Sequence, residues 1–285
     1  MIAGASLAGI SLLLGLGGSV LHILVFSAGR ESAGDFRQNE QTLLPFFAAG
    51  ILGLVYLLPG AQRAVARIVP LRPGSPVGYL TVVMGLLLVA QQLGAQLQQQ
   101  APLTYGELLA QDVPFFILAF VGVGLFIRRS PRETIERLGL VQPQAAWWWL
   151  MAVALIAVFG AVAIGIEQVA GAVAPEQQKR VTDVSNVLFS HFNNPAAIIF
   201  LGVIAGVVEE TLFRGALLPR LGVVVTSILF AALHTQYAVS FATLEVFVLG
   251  LGLGWLRVYS GSTLTCMVTH AGYDIAVGLI PFFVK

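Results

Sequence analysis

Carboxylates and imidazoles stand close together in the last third of the sequence. They fall in three stretches, at Glu209 and Glu210, at His234, and at His270 with Asp274. A carboxylate can take a proton from water, and an imidazole can position that water or ligate a metal ion. Each stretch alone is explained by pairing or by a buried polar group. Together they supply the components of general-base or metal-dependent hydrolysis.

The spacing within the stretches indicates which side chains share a helical face. Glu210 and Arg214 are four residues apart, so one helical face carries both and we expect them to pair. Glu209 is turned about 100° away from its neighbour and stays available. His270 and Asp274 are also four residues apart and project together.

The cysteine content argues against a thiol nucleophile. Cys266 is the only cysteine, and it lies four residues before His270 with no separate activating base. We therefore expect Cys266 to pack as a small apolar residue, and we expect water to attack the substrate. A disulfide within one chain is excluded.

The composition determines which elements must position these residues. Hydrophobic residues make up 57% of the chain and charged residues 10%, far from the balance of a soluble domain. Only helices or closed barrels satisfy the backbone in hydrocarbon, and a helical crossing needs about 20 apolar residues. We predict an all-α, polytopic transmembrane bundle of eight or nine spans, at about 3–27, 43–61, 77–95, 113–127, 146–171, 195–213, 221–239, 241–258 and 263–283.

Ionisable groups inside these spans predict a functional site. A charge at the bilayer centre costs at least ~2.5 kcal/mol, so acids and histidines in adjacent spans need partners or a water-filled cavity. Gly202 and Gly206 form a G-x-x-x-G pair that favours close helix contact.

Basic residues predict the orientation in the membrane. The connections at 62–76 and 128–145 are rich in arginine and should be cytoplasmic, whereas the loop carrying Glu107 and Asp112 should be external. We expect a retained first span, a cytoplasmic N-terminus and a prokaryotic cell membrane. Trp147, Trp148 and Trp149 should anchor the fifth span at the interface. The lipid bilayer is thus a partner, and a net charge of +1 argues against nucleic acid.

The motifs resemble those of the CPBP intramembrane proteases, the Abi-like family of CAAX prenyl proteases and bacteriocin-processing enzymes. That family carries E-E-x-x-x-R, F-x-x-x-H and H-x-x-x-N or a related residue. Here the motifs read Glu209, Glu210 and Arg214; Phe230 and His234; His270 and Asp274, in the family's order. The resemblance covers residues 195–283.

The resemblance implies a helical fold with a cavity below the membrane surface and an activity on membrane-associated proteins or peptides. Glu209 would be the general base and His234 would position the water. His270 and Asp274 would stabilise the oxyanion, while Glu210, Arg214 and Phe230 support the site. It also suggests a division into N-terminal helices, 1–145, and a catalytic core, 146–285, within one membrane domain.

Asp274 departs from the asparagine of the prenyl protease branch. An ionised aspartate only accepts hydrogen bonds and would repel an oxyanion. Two alternatives remain: burial keeps Asp274 protonated, or it ligates zinc with His234 and His270. The cofactor is therefore none or zinc.

We predict an intramembrane endopeptidase. The rival hypothesis is a non-enzymatic membrane protein, either a proton- or ion-coupled transporter or an immunity or scaffold member of the family.

Overall fold

The fold is all-α, as predicted. The structure is a computed structural model that describes residues 33–95 and 101–283, and these residues contain no β-strand. The predicted span at 3–27 lies outside them. The helices are α1 (Ala33–Val55), α2 (Pro59–Val65), α3 (Pro76–Gly94), α4 (Tyr105–Val123), α5 (Pro131–Leu138), α6 (Trp147–Val173), α7 (Pro175–Leu188), α8 (Pro195–Glu210), the π-helix π1 (Thr211–Leu217), α9 (Leu218–Ala232), a 3₁₀ turn (Thr235–Tyr237), α10 (Phe241–Ser260) and α11 (Thr263–Phe283).

The described helices confirm a polytopic membrane protein. Within residues 33–95 and 101–283, five helical stretches are long and apolar enough to cross a membrane, or six if the pair Leu43–Val55 and Pro59–Val65, bent by 105°, is one span. The predicted span 195–213 and the predicted span 221–239 as far as Ala232 form one apolar stretch of 38 residues, Pro195–Ala232. That length is nearly twice the roughly 20 residues of one crossing. Gly222, at φ 77° and ψ 171°, interrupts its helical geometry.

The chain divides into two compact units. The described part of the first consists of residues 33–95 and 231–239, and that of the second of residues 101–230 and 240–283. In the first unit α1 packs against α3, and the Tyr79 hydroxyl donates to the Gly53 carbonyl at 2.6 Å. The predicted division of the chain at residue 145 is based on where the motifs lie in the sequence and not on packing between helices. It stays a prediction.

Helix α4 begins earlier than the sequence indicated, at Tyr105 instead of residue 113. Thr104 caps the helix and forms a reciprocal capping box with Glu107, which satisfies the first backbone N–H groups. The prediction that Glu107 and Asp112 lie in a loop is therefore wrong. Both lie within α4, and the Asp112 side chain is buried.

Two glycines bring α8 against α11 in the second unit. A Cβ added at Gly206 would lie 2.8 Å from the Ala271 nitrogen, and one added at Gly202 would lie 2.9 Å from the Ile275 side chain. Any larger residue would push the helices apart. The predicted close contact at this G-x-x-x-G pair is confirmed, and it places the end of α8 beside His270.

Candidate active site

A buried ion pair marks the end of α8. Arg214 Nη1 lies 2.8 Å from Glu210 Oε1, and both side chains are shielded from solvent, with exposures of 1% and 0%. Arg214 Nη2 also donates to the Gly250 carbonyl at 3.1 Å, and the guanidinium carbon lies 4.4 Å from the centre of the Phe230 ring. The predicted pair is confirmed, and Phe230 packs directly on its cationic member.

The arginine of this pair projects from a π-helix. Residues Thr211–Leu217 adopt the wider π geometry between α8 and α9. All the residues from Thr211 to Ala216 are buried, and the Thr211 hydroxyl bonds the Val207 carbonyl at 2.6 Å. Single π-helical turns of this kind often lie at functional sites. Here the turn carries Arg214 into contact with Glu210, Gly250 and Phe230.

His270 lies between carboxylates on both of its ring nitrogens. Nδ1 is 2.8 Å from Glu210 Oε1, on one side. Nε2 is 3.4 Å from Asp274 Oδ2 and 4.0 Å from Glu209 Oε2, on the other. Because Glu210 is paired with Arg214 and accepts as an anion, Nδ1 carries the hydrogen and donates. The other nitrogen therefore faces the side where Glu209 and Asp274 lie.

One carboxylate oxygen of Glu209 accepts no hydrogen bond from the described residues. Its Oε2 is buried and has no hydrogen-bond partner among residues 33–95 and 101–283. The side chain as a whole keeps 25% of its surface exposed, and that of Asp274 keeps 31%. A carboxylate oxygen so placed can accept a proton from a bound water.

Aromatic packing fixes the orientation of the His270 ring. The Phe230 and His270 rings pack nearly perpendicular to each other, at 82°, with ring centres 5.8 Å apart, and Phe213 packs against Phe230 at 5.0 Å. Phe230 is 3% exposed. Because Glu210 holds one nitrogen of the imidazole and Phe230 packs against the ring, His270 cannot rotate away without breaking both contacts.

His234 does not lie in a helix, although the sequence placed it in a span at 221–239. Helix α9 ends at Ala232, and His234 precedes the 3₁₀ turn Thr235–Tyr237. Its ring stacks on Tyr237 with centres 6.2 Å apart. His234 belongs to the first compact unit, whereas Glu209, His270 and Asp274 belong to the second. The role predicted for His234 stays a prediction.

Asp112 is a residue of this region that the sequence reasoning missed. Helix α4 packs against α8, and Asp112 is 4% exposed and close enough to Glu209 for the two carboxyl groups to interact. The signal that could have found it was the capping-box pattern at Thr104 and Glu107, which starts the helix before Asp112. Cys266, by contrast, is fully buried among apolar side chains, as expected.

The zinc alternative requires His234 of the first compact unit together with His270 and Asp274 of the second. A structural or catalytic zinc needs at least three protein ligands, and within the described residues no group of three or more histidine, cysteine, aspartate or glutamate side chains is arranged to hold a metal ion. The set His234, His270 and Asp274 therefore stays a prediction for metal analysis.

Comparison with known proteins agrees with the motifs. Residues 191–276 match the model of a family described as type II CAAX prenyl endopeptidase Rce1-like. An uncharacterized 24.3 kDa protein of Escherichia coli is 34% identical over 96 residues, which covers 29% of this chain and 44% of that relative's length. No solved structure matches the chain. The matched segment contains every motif residue from Glu209 to Asp274, and it confirms the resemblance of this chain to the CAAX prenyl protease family of intramembrane proteases.

Proposed function

We propose that this protein is an intramembrane endopeptidase of a prokaryotic cell membrane. It would hydrolyse a peptide bond of a membrane-associated protein or peptide, with water as the nucleophile. The observation that carries this proposal is the position of His270, held by Glu210 at Nδ1 while Nε2 faces Glu209 and Asp274. The family match supports the reaction class.

Glu209 is the proposed general base. Its side chain is 25% exposed, so the carboxylate can meet water and accept its proton as the water oxygen attacks the carbonyl carbon. The family resemblance assigns His234 to the positioning of the same water. When the intermediate collapses and the C–N bond breaks, Glu209 returns the proton to the leaving amine.

His270 and Asp274 are the proposed donors to the oxyanion. Since Nδ1 donates to Glu210, Nε2 carries a hydrogen only when the ring is a cation. With His270 and Arg214 cationic and Glu209, Glu210 and Asp274 ionised, these five side chains have a net charge of −1, and an ionised Asp112 near Glu209 would make it −2. A membrane interior favours protons that neutralise this group. With Glu209 ionised as the base, we assign one such proton to Asp274, which then donates a hydrogen bond.

Cleavage by purified protein in proteoliposomes, without an ion gradient, tests the proposal. Membrane-tethered peptides are incubated with wild type and Glu209→Gln, and the products are sequenced by mass spectrometry. We expect Glu209→Gln to lower turnover by about 10²-fold or more with an unchanged melting temperature, because the amide cannot accept the proton. Glu167→Gln makes the same change at an exposed carboxylate of α6 and should leave turnover intact.

If Glu209→Gln keeps nearly wild-type turnover, Glu209 is not the general base. Ion flux that depends on Glu209, with no peptide cleaved by any preparation, would instead support a transporter or proton relay.

A further inference from the structure

Five arginines of the second unit form a cluster that shares no residue with the site of Glu209. They are Arg128, Arg129, Arg137, Arg220 and Arg257, and we call them the arginine cluster. Arg137 interacts with all four others, and Arg220 interacts with Arg128 and Arg129. Burial first, and then repulsion from the other four, lowers the pKa of the Arg137 guanidinium from its ordinary value. The cluster is therefore a concentration of like charge.

Carboxylates do not compensate this charge. The ion pairs among residues 33–95 and 101–283 include none of the five. Glu133 interacts with Arg129, but its carboxylate already accepts from the Ser130 hydroxyl and backbone at 2.8 and 2.7 Å. An anion from outside the chain would relieve the repulsion.

Helix ends use only part of the hydrogen-bonding capacity of the cluster. Arg129 donates to the Val123 carbonyl at the end of α4, and Arg137 donates to the Gly215 and Ala216 carbonyls of π1 at 3.0 and 3.4 Å. A guanidinium has five N–H donors, so these bonds leave several donors on each. Arg257 Nε is buried and has no hydrogen-bond partner among the described residues.

Aromatic side chains beside Arg257 indicate the depth of the cluster. Trp255 and Tyr259 flank Arg257 on α10, with ring centres 5.3 Å apart. Trp255 meets Trp148 at 5.8 Å, and Trp148 stacks on Trp147 at 3.9 Å. Rings of tryptophan and tyrosine collect at the level of lipid headgroups. We therefore place this end of α10, and Arg257 with it, at the depth of the lipid phosphates.

The connection between α4 and α5 presents an apolar tip beside two of the cations. Phe126 and Ile127 are 82% and 75% exposed, and Arg128 and Arg129 follow them directly. Phe126 has a left-handed φ of 57°, and its N–H donates to the Arg129 carbonyl at 3.0 Å, which fixes the shape of the tip. Exposed apolar residues next to cations are typical of segments that lie in the membrane interface.

We propose that the arginine cluster binds the phosphate of an anionic lipid headgroup. A guanidinium matches a phosphate with two parallel hydrogen bonds, and the apolar tip would enter the acyl region beside the bound lipid. The same lipid would neutralise the charge around Arg137, which is bonded to π1. Lipid binding at the arginine cluster would not require peptidase activity.

Lipid retention by the purified full-length protein tests the site. Wild type in neutral detergent is titrated with dioleoylphosphatidylglycerol or with dioleoylphosphatidylcholine, and the bound lipid is counted by native mass spectrometry. We expect at least tenfold tighter binding of phosphatidylglycerol. Arg128→Gln with Arg220→Gln should weaken it by roughly 30-fold, about fivefold for each cation removed. Arg63→Gln with Arg67→Gln removes two exposed arginines, one in α2 and one just after it, and should leave the affinity unchanged.

Three outcomes would overturn the proposal. Equal affinity of the wild type for the two lipids would overturn it. That comparison does not depend on whether any variant folds. An equal loss in the two double variants would show a general charge effect. Displacement of phosphatidylglycerol by an equal concentration of inorganic phosphate would show a site for free phosphate. Arg128→Lys with Arg220→Lys, which keeps the charge, should lose less affinity than the glutamine variant.

Discussion

Gly206 sets the distance between α8 and α11, and we expect Gly206→Ala to damage both stability and catalysis. The new Cβ would lie 2.8 Å from the Ala271 nitrogen and 2.9 Å from the Ala271 Cβ. Carbon contacts favour about 3.5 to 4.0 Å, so the helices must separate by roughly 0.7 Å or distort. Overpacking of this kind costs about 1 to 3 kcal/mol.

The same displacement would reach the site. Gly206 is one turn before Glu209, and Ala271 follows His270 directly, so a shift at this contact changes the 4.0 Å separation of Glu209 Oε2 from His270 Nε2. A misplacement near 1 Å can lower a rate by about 10²-fold. We therefore expect Gly206→Ala to reduce cleavage more than its loss of stability explains.

Unfolding by SDS in mixed micelles, together with peptide turnover, measures both effects. Gly165→Ala is the matched control, because an added Cβ there meets nothing within 4 Å. The control should be stabilised by about 0.5 to 1 kcal/mol, since alanine replaces glycine inside a helix. If Gly206→Ala and Gly165→Ala behave alike in both assays, the close contact does not hold the site together.

Three further substitutions examine other parts of the network. Arg214→Ala should destabilise the protein by about 3 to 5 kcal/mol, because it leaves Glu210 buried without its cation; an unchanged unfolding midpoint in SDS would contradict the pair. Asp274→Asn should keep most of the turnover if Asp274 is a neutral donor, whereas loss of turnover together with stoichiometric zinc, by elemental analysis, would favour a metal site. Asp112→Asn removes a carboxyl group that interacts with Glu209 and should change turnover more than it changes the unfolding midpoint in SDS. An unchanged turnover would show that Asp112 acts only in packing.

Local spacing predicted the parts of the site that depend on one helix. The Glu210–Arg214 pair and the shared face of His270 and Asp274 follow from a separation of four residues, and the structure shows both. The Gly202 and Gly206 contact was also predictable, since small residues at that spacing favour close helices. These features need no knowledge of which helices are neighbours.

Features that depend on tertiary packing were not predictable. The bond from His270 to Glu210 joins residues 60 apart, and spacing cannot reveal it. The charge of Asp112 favours a loop in the sequence, but the capping box at Thr104 and Glu107 starts α4 before it. The helix end at Ala232 precedes the polar residues His234, Thr235 and Gln236, which the predicted span 221–239 included because Tyr237, Ala238 and Val239 follow them.

The π-helix Thr211–Leu217 has a consequence for how the gene can vary. A π-helical turn holds one residue more than an α-helical turn, so the loss of one residue from this segment can be absorbed by a return to α-helical pitch, and the chain after it keeps nearly the same orientation to α8. The loss of one residue from α8, which is already α-helical, would instead rotate the residues after it by about 100° relative to those before it. Glu210 would then turn away from His270, although no motif residue had changed. In a deep mutational scan that includes single-codon deletions, deletions of π-helix residues other than Arg214 should accordingly be tolerated better than deletions within α8.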